Sequence, residues 1–494
     1  MALADQVLLD RYAVKKNGKP AETTWNEVAT RVAQATAKDD EHWVAAAFNE
    51  MLQGMYFIPG GRILAAMGAP YEISPYNCRV IPSPHDSRQG IVASLGLWIE
   101  HQARGEGVGI NMSTLRPRGA RVRSVNGTSS GPLAWMELFS VATHRVVQQG
   151  GSRRGAAMLM LNDHHPDIME FIRAKRQPGI LMGANLSVAI SNKFMEALHA
   201  DALWDLHWDD SFFRTIPARE LWKEITDSAW RSGEPGVVFL ERCNQQSNSW
   251  YFEELIATNP CAEQPLGANA VCLLGSVNLL KHVDNGKINL PQLAQTVTLA
   301  TRFLDNVIDR AYYYPSAEES EFIQQGLRRL GIGTMGLADH LIARGLRYGS
   351  PEAVTQTEGV FRQIKEASYV SSSYLAQERG AFPLFERDKY LQGKFIQGLP
   401  RPVQTMIYEN GIRNCFLTSQ APTGTIAKLA GVWAGIEPYF DRRTVLTNRL
   451  GTHEVVAPDS PYLVVANEVS PEEHIEMVAA VQRHVDAAVS KTIN

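Results

Sequence analysis

Apolar and polar positions follow two different periods along the chain. Up to about residue 57, apolar residues such as Val28, Val32, Ala46 and Met51 recur among charged ones, and the later half holds no Gly or Pro until Gly54. This pattern predicts an N-terminal helical region over residues 1–57. The cluster IPGGRIL at 58–64 ends it. From there to about residue 340, short apolar runs (GVGINM, AAMLML, NLSVAI, GVVFL, VCLLGSVNL) alternate with helical patterns over 133–148, 217–231 and 293–311. That alternation predicts an α/β sheet or barrel. A long helical pattern over 352–378 stops at Gly380 and Pro383, and NCFLTSQAPTGTIAKLAG then supplies a strand and a small-residue turn. Ser470-Pro471-Glu472-Glu473 forms a capping box with proline at the first helical position, and Ile475, Val478, Val485 and Val489 are expected to line one helical face after it. With no internal repeat and no low-complexity linker, residues 58–494 read as one domain.

Composition narrows the function classes. The 494 residues are 45% hydrophobic and 20% charged, which is ordinary for a globular chain with a large core. The formal net charge is -4 and no long basic run occurs, so the footprint for a nucleic-acid polymer is missing and any nucleotide handled is small. No stretch approaches the roughly 18–20 apolar residues of a membrane span, and the start lacks a signal-peptide layout. A cytoplasmic location without membrane contact is expected. The cysteines at 78, 243, 261, 272 and 415 are few, odd in number and far apart, without Cys-x-x-Cys spacing, which argues against a disulfide framework or a zinc site. Asn-Asp-His-His-Pro-Asp at 162–167 carries adjacent histidines that do not share a face, so no metal site is assigned.

Four stretches place small or polar residues where packing does not demand them. In TNPCAEQPL, residues 258–266, Asn259, Cys261 and Glu263 occupy alternate positions; an extended segment would point an amide, a thiol and a carboxylate the same way. The alternative is a loop after a strand with a buried thiol. VQQGGSRRGAA at 147–157 combines turn-forming glycines with arginines suited to phosphates or base edges. APTGTIAKLAG at 421–431 sets hydroxyls and backbone N–H groups at a helix start, where an anion is favoured, without the ending of a P-loop. RGEGVGI at 104–110 has the wrong glycine spacing for a dinucleotide fingerprint and reads as a glycine-rich strand edge. Cys78 and Cys272 each sit in a strand-like run, either as inert buried thiols or, brought together beside Cys261, as a reductant.

Taken in order, NPCAEQPL…CLLGSVNL, LRPRGARV, GGSRRGAAM, HPDIMEFIRAK, GEPGVVF, RRLGIGTMGLADHL, APTGTIAKLAG…GIEPYF and VDAAVSKTIN resemble the catalytic chain of ribonucleotide reductases from about residue 8 onward. The resemblance implies a ten-stranded α/β barrel with a central finger loop, its last strand possibly missing, carrying Cys261 as a transient thiyl radical. It implies that Glu263 is the general base for the substrate 3′-hydroxyl, that Asn259 holds the substrate hydroxyls, and that Cys78 and Cys272 are the redox pair. By the same carry-over, Thr423, Gly424 and Thr425 bind the substrate diphosphate. Asp86, Ser87 and Arg116 contact a deoxynucleoside triphosphate effector at a homodimer interface. Gln149, Gly150, Gly151 and Arg153 lie in the loop linking effector to substrate base. Cys243 and Cys415 match no catalytic position.

The wording PGGRIL, NC and APTGTI…LAG resembles the adenosylcobalamin-dependent class more than the metal-dependent large subunits. The alternatives are a class I-type chain that takes its radical from a ferritin-like small subunit, and a catalytically inactive nucleotide-binding homologue. A glycyl-radical enzyme would need a C-terminal glycine motif that HVDAAVSKTIN lacks. Against the family pattern, an ATP cone is not expected at the start. After SKTIN the family continues with a helix, a final strand and a tail bearing a Cys pair, so a C-terminal fragment or a small radical subunit is an expected partner, with a thioredoxin-like or glutaredoxin-like reductant.

Overall fold

The computed structural model describes residues 3–146, 155–448 and 451–493. The chain divides into two compact units, Cys78–Val271 and Met1–Asn77 with Cys272–Asn494.

The first unit is built on parallel strands in the order Gly236–Val238, Asn185–Ala189, Ala157–Asn162, Gly107–Asn111, Cys78–Val80. The run AMLML is buried throughout, as a strand covered on both faces requires, which is why the sequence reads as continuous apolar rather than alternating. Helices Arg88–Ala103, Pro132–Val141, Ile168–Arg173 and Ala218–Ser232 contribute to the core; Trp98, Phe139, Phe171, Leu159 and Val188 are fully buried there. The pattern read as helical over 133–148 ends as a regular α-helix at Val141 and widens into a π-turn over Ala142–Val146.

In the second unit, helix Trp25–Thr36 starts at a Thr24/Glu27 capping box and packs on His42–Gln53. Val28, Val32 and Met51 are buried as expected, but Ala46 is exposed, because the buried face of its helix is the single stripe Val44, Phe48, Met51, Leu52. Strand Leu274–Asn278 lies between Gly331–Met335, parallel, and Phe57–Pro59, antiparallel. Helix Leu290–Arg310 packs on Pro351–Arg379, which begins at a Ser350 cap and stops at Gly380 with φ +83°.

The single helical face expected through Val489 is corrected by the structure. The helix with the Ser470 capping box stops at Gln482, and Ile475 is 56% exposed. Asp486 then turns the chain: its carboxylate accepts from the backbone N–H groups of Leu417 and Thr418 and from the Tyr369 hydroxyl. Val489 consequently forms a parallel bridge with Gln420, and Thr418 forms one with Ile332. A buried carboxylate that needs several donors outcompetes continuation of the helix.

Candidate active site

Asn259, Cys261 and Glu263 do not sit in an extended segment. Short antiparallel strands Ala257–Thr258 and Pro265–Leu266 flank a tight turn. The Ala262 N–H donates to the Asn259 carbonyl at 3.0 Å, the Asn259 N–H to the Gln264 carbonyl at 3.1 Å, and the Gln264 N–H to the Asn259 side-chain oxygen at 3.0 Å. Ala262 takes φ +64° to close the turn. The alternation inferred from spacing is therefore replaced by a hairpin with Cys261 near its tip. Asn259 and Glu263 are buried, whereas Cys261 is half-buried and so remains reachable. The Asn259 Nδ2 amide is buried with no hydrogen-bond partner among the described residues, as are both side-chain polar atoms of Gln264. Desolvated donors of this kind are rare and are met by a ligand or water.

The turn rests on a floor whose purpose local spacing does not disclose. A Cβ on Gly109 would lie 1.9 Å from the Thr258 carbonyl oxygen, and one on Gly107 would lie 2.9 Å from both the Cys78 sulfur and Pro260 Cγ. The glycines of GVGI thus let the hairpin lie directly on strand Gly107–Asn111, and they put the Cys78 thiol beside Pro260. Asn185 donates to the Pro260 carbonyl at 2.9 Å and Asn111 to the Ile256 carbonyl at 3.1 Å, pinning the turn from two strands. Reading GVG as a strand edge missed this; the signal available was glycine at alternate positions of an otherwise apolar strand. The Asn77 N–H, one residue before Cys78, donates to the Cys272 carbonyl at 3.3 Å, and the Val80 N–H to the Ala270 carbonyl at 3.1 Å.

In the second unit, Thr423 takes φ +56° and its hydroxyl accepts from the Gly435 N–H at 2.7 Å, fixing the turn that precedes helix Ile426–Ala430. Gly424 is exposed and Thr425 half-buried. In the first unit, Asp86 and Arg116 are brought together: the Arg116 Nε donates to Asp86 at 2.7 Å and its backbone N–H at 3.1 Å. Ser87 caps the adjacent helix by accepting from Gly90 at 3.0 Å. Gln149, Gly150, Gly151 and Arg153 lie outside the described residues.

Other candidates resolve as structural groups. His165 donates from Nε2 to the Leu115 carbonyl and accepts at Nδ1 from the Asp167 N–H, while His164 stacks on His207 with ring centroids 4.4 Å apart. Among the described residues, no group of three or more His, Cys, Asp or Glu is placed to hold a metal, and no helix is long and apolar enough to cross a membrane. Burial pushes the Cys243 thiol up to about 11, and Cys415 is buried.

Residues 2–72 match the ribonucleotide reductase all-alpha domain and residues 77–462 the ribonucleotide reductase barrel domain. The chain is 36% identical to a vitamin B12-dependent ribonucleoside-diphosphate reductase of Mycobacterium tuberculosis, over 99% of its own length and 74% of that protein's. It is 33% identical to the protein of that name from Thermoplasma acidophilum, over 99% of its own length and 66% of the relative's. A ribonucleoside-diphosphate reductase subunit alpha of Chlamydia pneumoniae is 25% identical, with 93% of this chain and 49% of the relative covered. Two domains matched in sequence, and relatives aligned along nearly the whole chain, make this protein a member of the ribonucleotide reductase large-chain family.

Proposed function

We propose that the chain reduces ribonucleotides to 2′-deoxyribonucleotides through a thiyl radical on Cys261, with substrate choice set by a deoxynucleoside triphosphate. The observation that carries this reading is the finger turn itself: a reachable thiol between a buried carboxylate and a buried amide whose Nδ2 lacks a partner among the described residues. Cys261 takes the 3′-hydrogen atom of the ribose, which makes departure of the neighbouring 2′-hydroxyl as water feasible. Glu263 accepts the 3′-hydroxyl proton, and Asn259 holds the hydroxyls through its open donor. Cys78 and Cys272 give up two electrons and two protons and end as a disulfide; Cys261 then returns its hydrogen. Support for the pair comes from the Cys78 thiol lying against the floor of the turn and from the Cys272 carbonyl accepting from the residue before Cys78.

Thr423, Gly424 and Thr425 hold the substrate phosphates. Asp86, Ser87 and Arg116 hold the effector in a homodimer, with Gln149, Gly150, Gly151 and Arg153 passing its identity to the base site. The cofactor of this reading is adenosylcobalamin, supported by the names of the relatives and by the half-exposed Cys261, the one group of the triplet that an external radical source can approach. Bound, it supplies an organic radical by cobalt–carbon homolysis. In this reading residues 1–57 are the helical region and 58–494 the barrel domain, and the protein works in the cytoplasm with a thioredoxin-like or glutaredoxin-like reductant.

Cys261→Ser tests the reading. Turnover is expected to be abolished while effector affinity stays unchanged, because only the hydrogen-atom acceptor is lost. Multiple turnover by the variant would refute the role of Cys261. In a single-turnover reaction of the native chain, thiol counting and peptide mapping should show one new disulfide joining Cys78 and Cys272.

A further inference from the structure

The turn Thr423–Thr425 is flanked by two cations that the proposed chemistry has not used. Arg11 is the last residue of helix Leu3–Arg11, which packs on Ile426–Ala430. Its Nη1 donates to the Thr425 hydroxyl at 3.4 Å, its Nε is buried without a hydrogen-bond partner among the described residues, and that Nε makes a long ion pair with the Asp10 carboxylate at 3.8 Å. The ammonium of Lys428, half-buried one turn further on, makes no hydrogen bond or ion pair among the described residues. Burial first, and then the Arg11 charge, hold its ammonium below the ordinary lysine range. Arg11 thus has one long ion pair, to Asp10, and the Lys428 ammonium has none among the described residues, while the two like charges lie close enough to repel.

The rest of the turn also presents donors. The N–H groups of Gly424, Thr425 and Ile426 meet no backbone carbonyl among the described residues, and a Cβ on Gly424 would meet nothing within 4 Å, so the space over the turn is open. Thr425, accepting from Arg11, keeps its hydroxyl proton for another acceptor. Donors converging on open space suit a group that only accepts and carries negative charge. Arginine supplies a planar fork and lysine a point charge, the two usual ways of holding phosphate oxygens.

We propose that Arg11 and Lys428 clamp the phosphate end of the ribonucleotide, completing the hydroxyl turn Thr423–Thr425. The clamp rests on the assignment of that turn to the substrate phosphates. Its consequence is that affinity for substrate depends on phosphate charge and on salt, through residues at the start of the chain as well as in the turn.

The test measures binding of each ribonucleoside diphosphate, and of the same nucleosides without phosphate, to the full chain at saturating effector. Arg11→Gln and Lys428→Gln should each weaken diphosphate binding about ten- to hundredfold, the range for loss of a charge-assisted hydrogen bond. Both should flatten its salt dependence and leave nucleoside and effector binding unchanged, and Lys428→Arg should recover most of the loss. Thr425→Val separates the clamp from the assignment beneath it. Weakening by Thr425→Val, with none from Arg11→Gln or Lys428→Gln, overturns the clamp and leaves the turn as the phosphate site. No weakening by any of the three overturns both. Equal losses for nucleoside and diphosphate assign the cations a structural role and overturn the clamp; thermal melting of each variant confirms that it is folded.

Discussion

Gly109 has no side chain because another stretch of backbone occupies the place where one would be. Since the Thr258 carbonyl oxygen lies 1.9 Å from where a Cβ at this position would sit, Gly109→Ala must push the finger hairpin off its strand. The expected cost is about 1–3 kcal/mol or more of stability, and turnover should fall much further than stability, because Cys261 moves with the hairpin. Denaturant unfolding and steady-state assays of the same preparation check both; an alanine variant of native activity would show that the hairpin does not need this floor. At this scale the sequence displayed an amide, a thiol and a carboxylate at Asn259, Cys261 and Glu263 but not their arrangement. Alternation suggested an extended segment, whereas hydrogen bonds between Asn259 and Gln264 close a turn. The competition between extended backbone and turn is settled by partners that adjacent spacing does not reveal.

Helix termini and buried histidines set the behaviour of whole elements. Ser470 caps its helix by accepting from the Glu473 N–H at 3.2 Å while the Glu473 carboxylate accepts from the Ser470 N–H at 2.9 Å. Ser470→Ala should lower stability by about 1 kcal/mol, read as a lower denaturant midpoint with an unchanged slope. His282 donates from Nδ1 to the Asn278 carbonyl and accepts at Nε2 from Thr296, tying residues 279–282 to helix Leu290–Arg310. His340 donates to the Leu279 carbonyl and accepts from Arg344. Burial holds His165, His282 and His340 each at about 4. In each case the neutral ring is the folded form. The unfolded chain, with histidines near 6.5, takes up protons first, so this stability is intact above about pH 6.5 and is lost as pH falls toward 4. Each group contributes a slope of about 1.4 kcal/mol per pH unit within that window. Urea unfolding from pH 7 to 4.5 should show the decline, and His282→Gln should make it shallower; a flat profile would contradict neutral buried rings. The helices read over 217–231, 293–311 and 352–378, the Ser470 cap and the strands in GVGINM, AAMLML, NLSVAI, GVVFL and VCLLGSVNL were legible in the sequence, since a repeating period and a capping residue act over a few neighbours, whereas helix Arg88–Ala103 was not read. The segment after Gln482 was not, because the carboxylate of Asp486 is bound by Leu417, Thr418 and Tyr369, far away in the chain.

At the scale of the whole molecule, the proposed radical source has a direct test. With a ribonucleoside diphosphate, an effector and a dithiol, turnover is expected when adenosylcobalamin is supplied and not when a metal-loaded ferritin-like subunit is supplied alone. Turnover with the metal-loaded partner and none with cobalamin would assign the metal-dependent class, leaving the role of Cys261 in place. The amino-acid sequence by itself determined the main helical and strand periods and family membership, because a repeating period and an ordered series of motifs are properties of the linear chain. Tertiary structure alone decided that Gly107 and Gly109 form the floor of the finger turn, that Asn185 pins its tip, and that Arg11 reaches Thr425 across 414 positions of sequence. The physical reason is that periodicity and capping are local, whereas steric exclusion, burial and the pairing of charges depend on which distant segments the folded chain brings into contact.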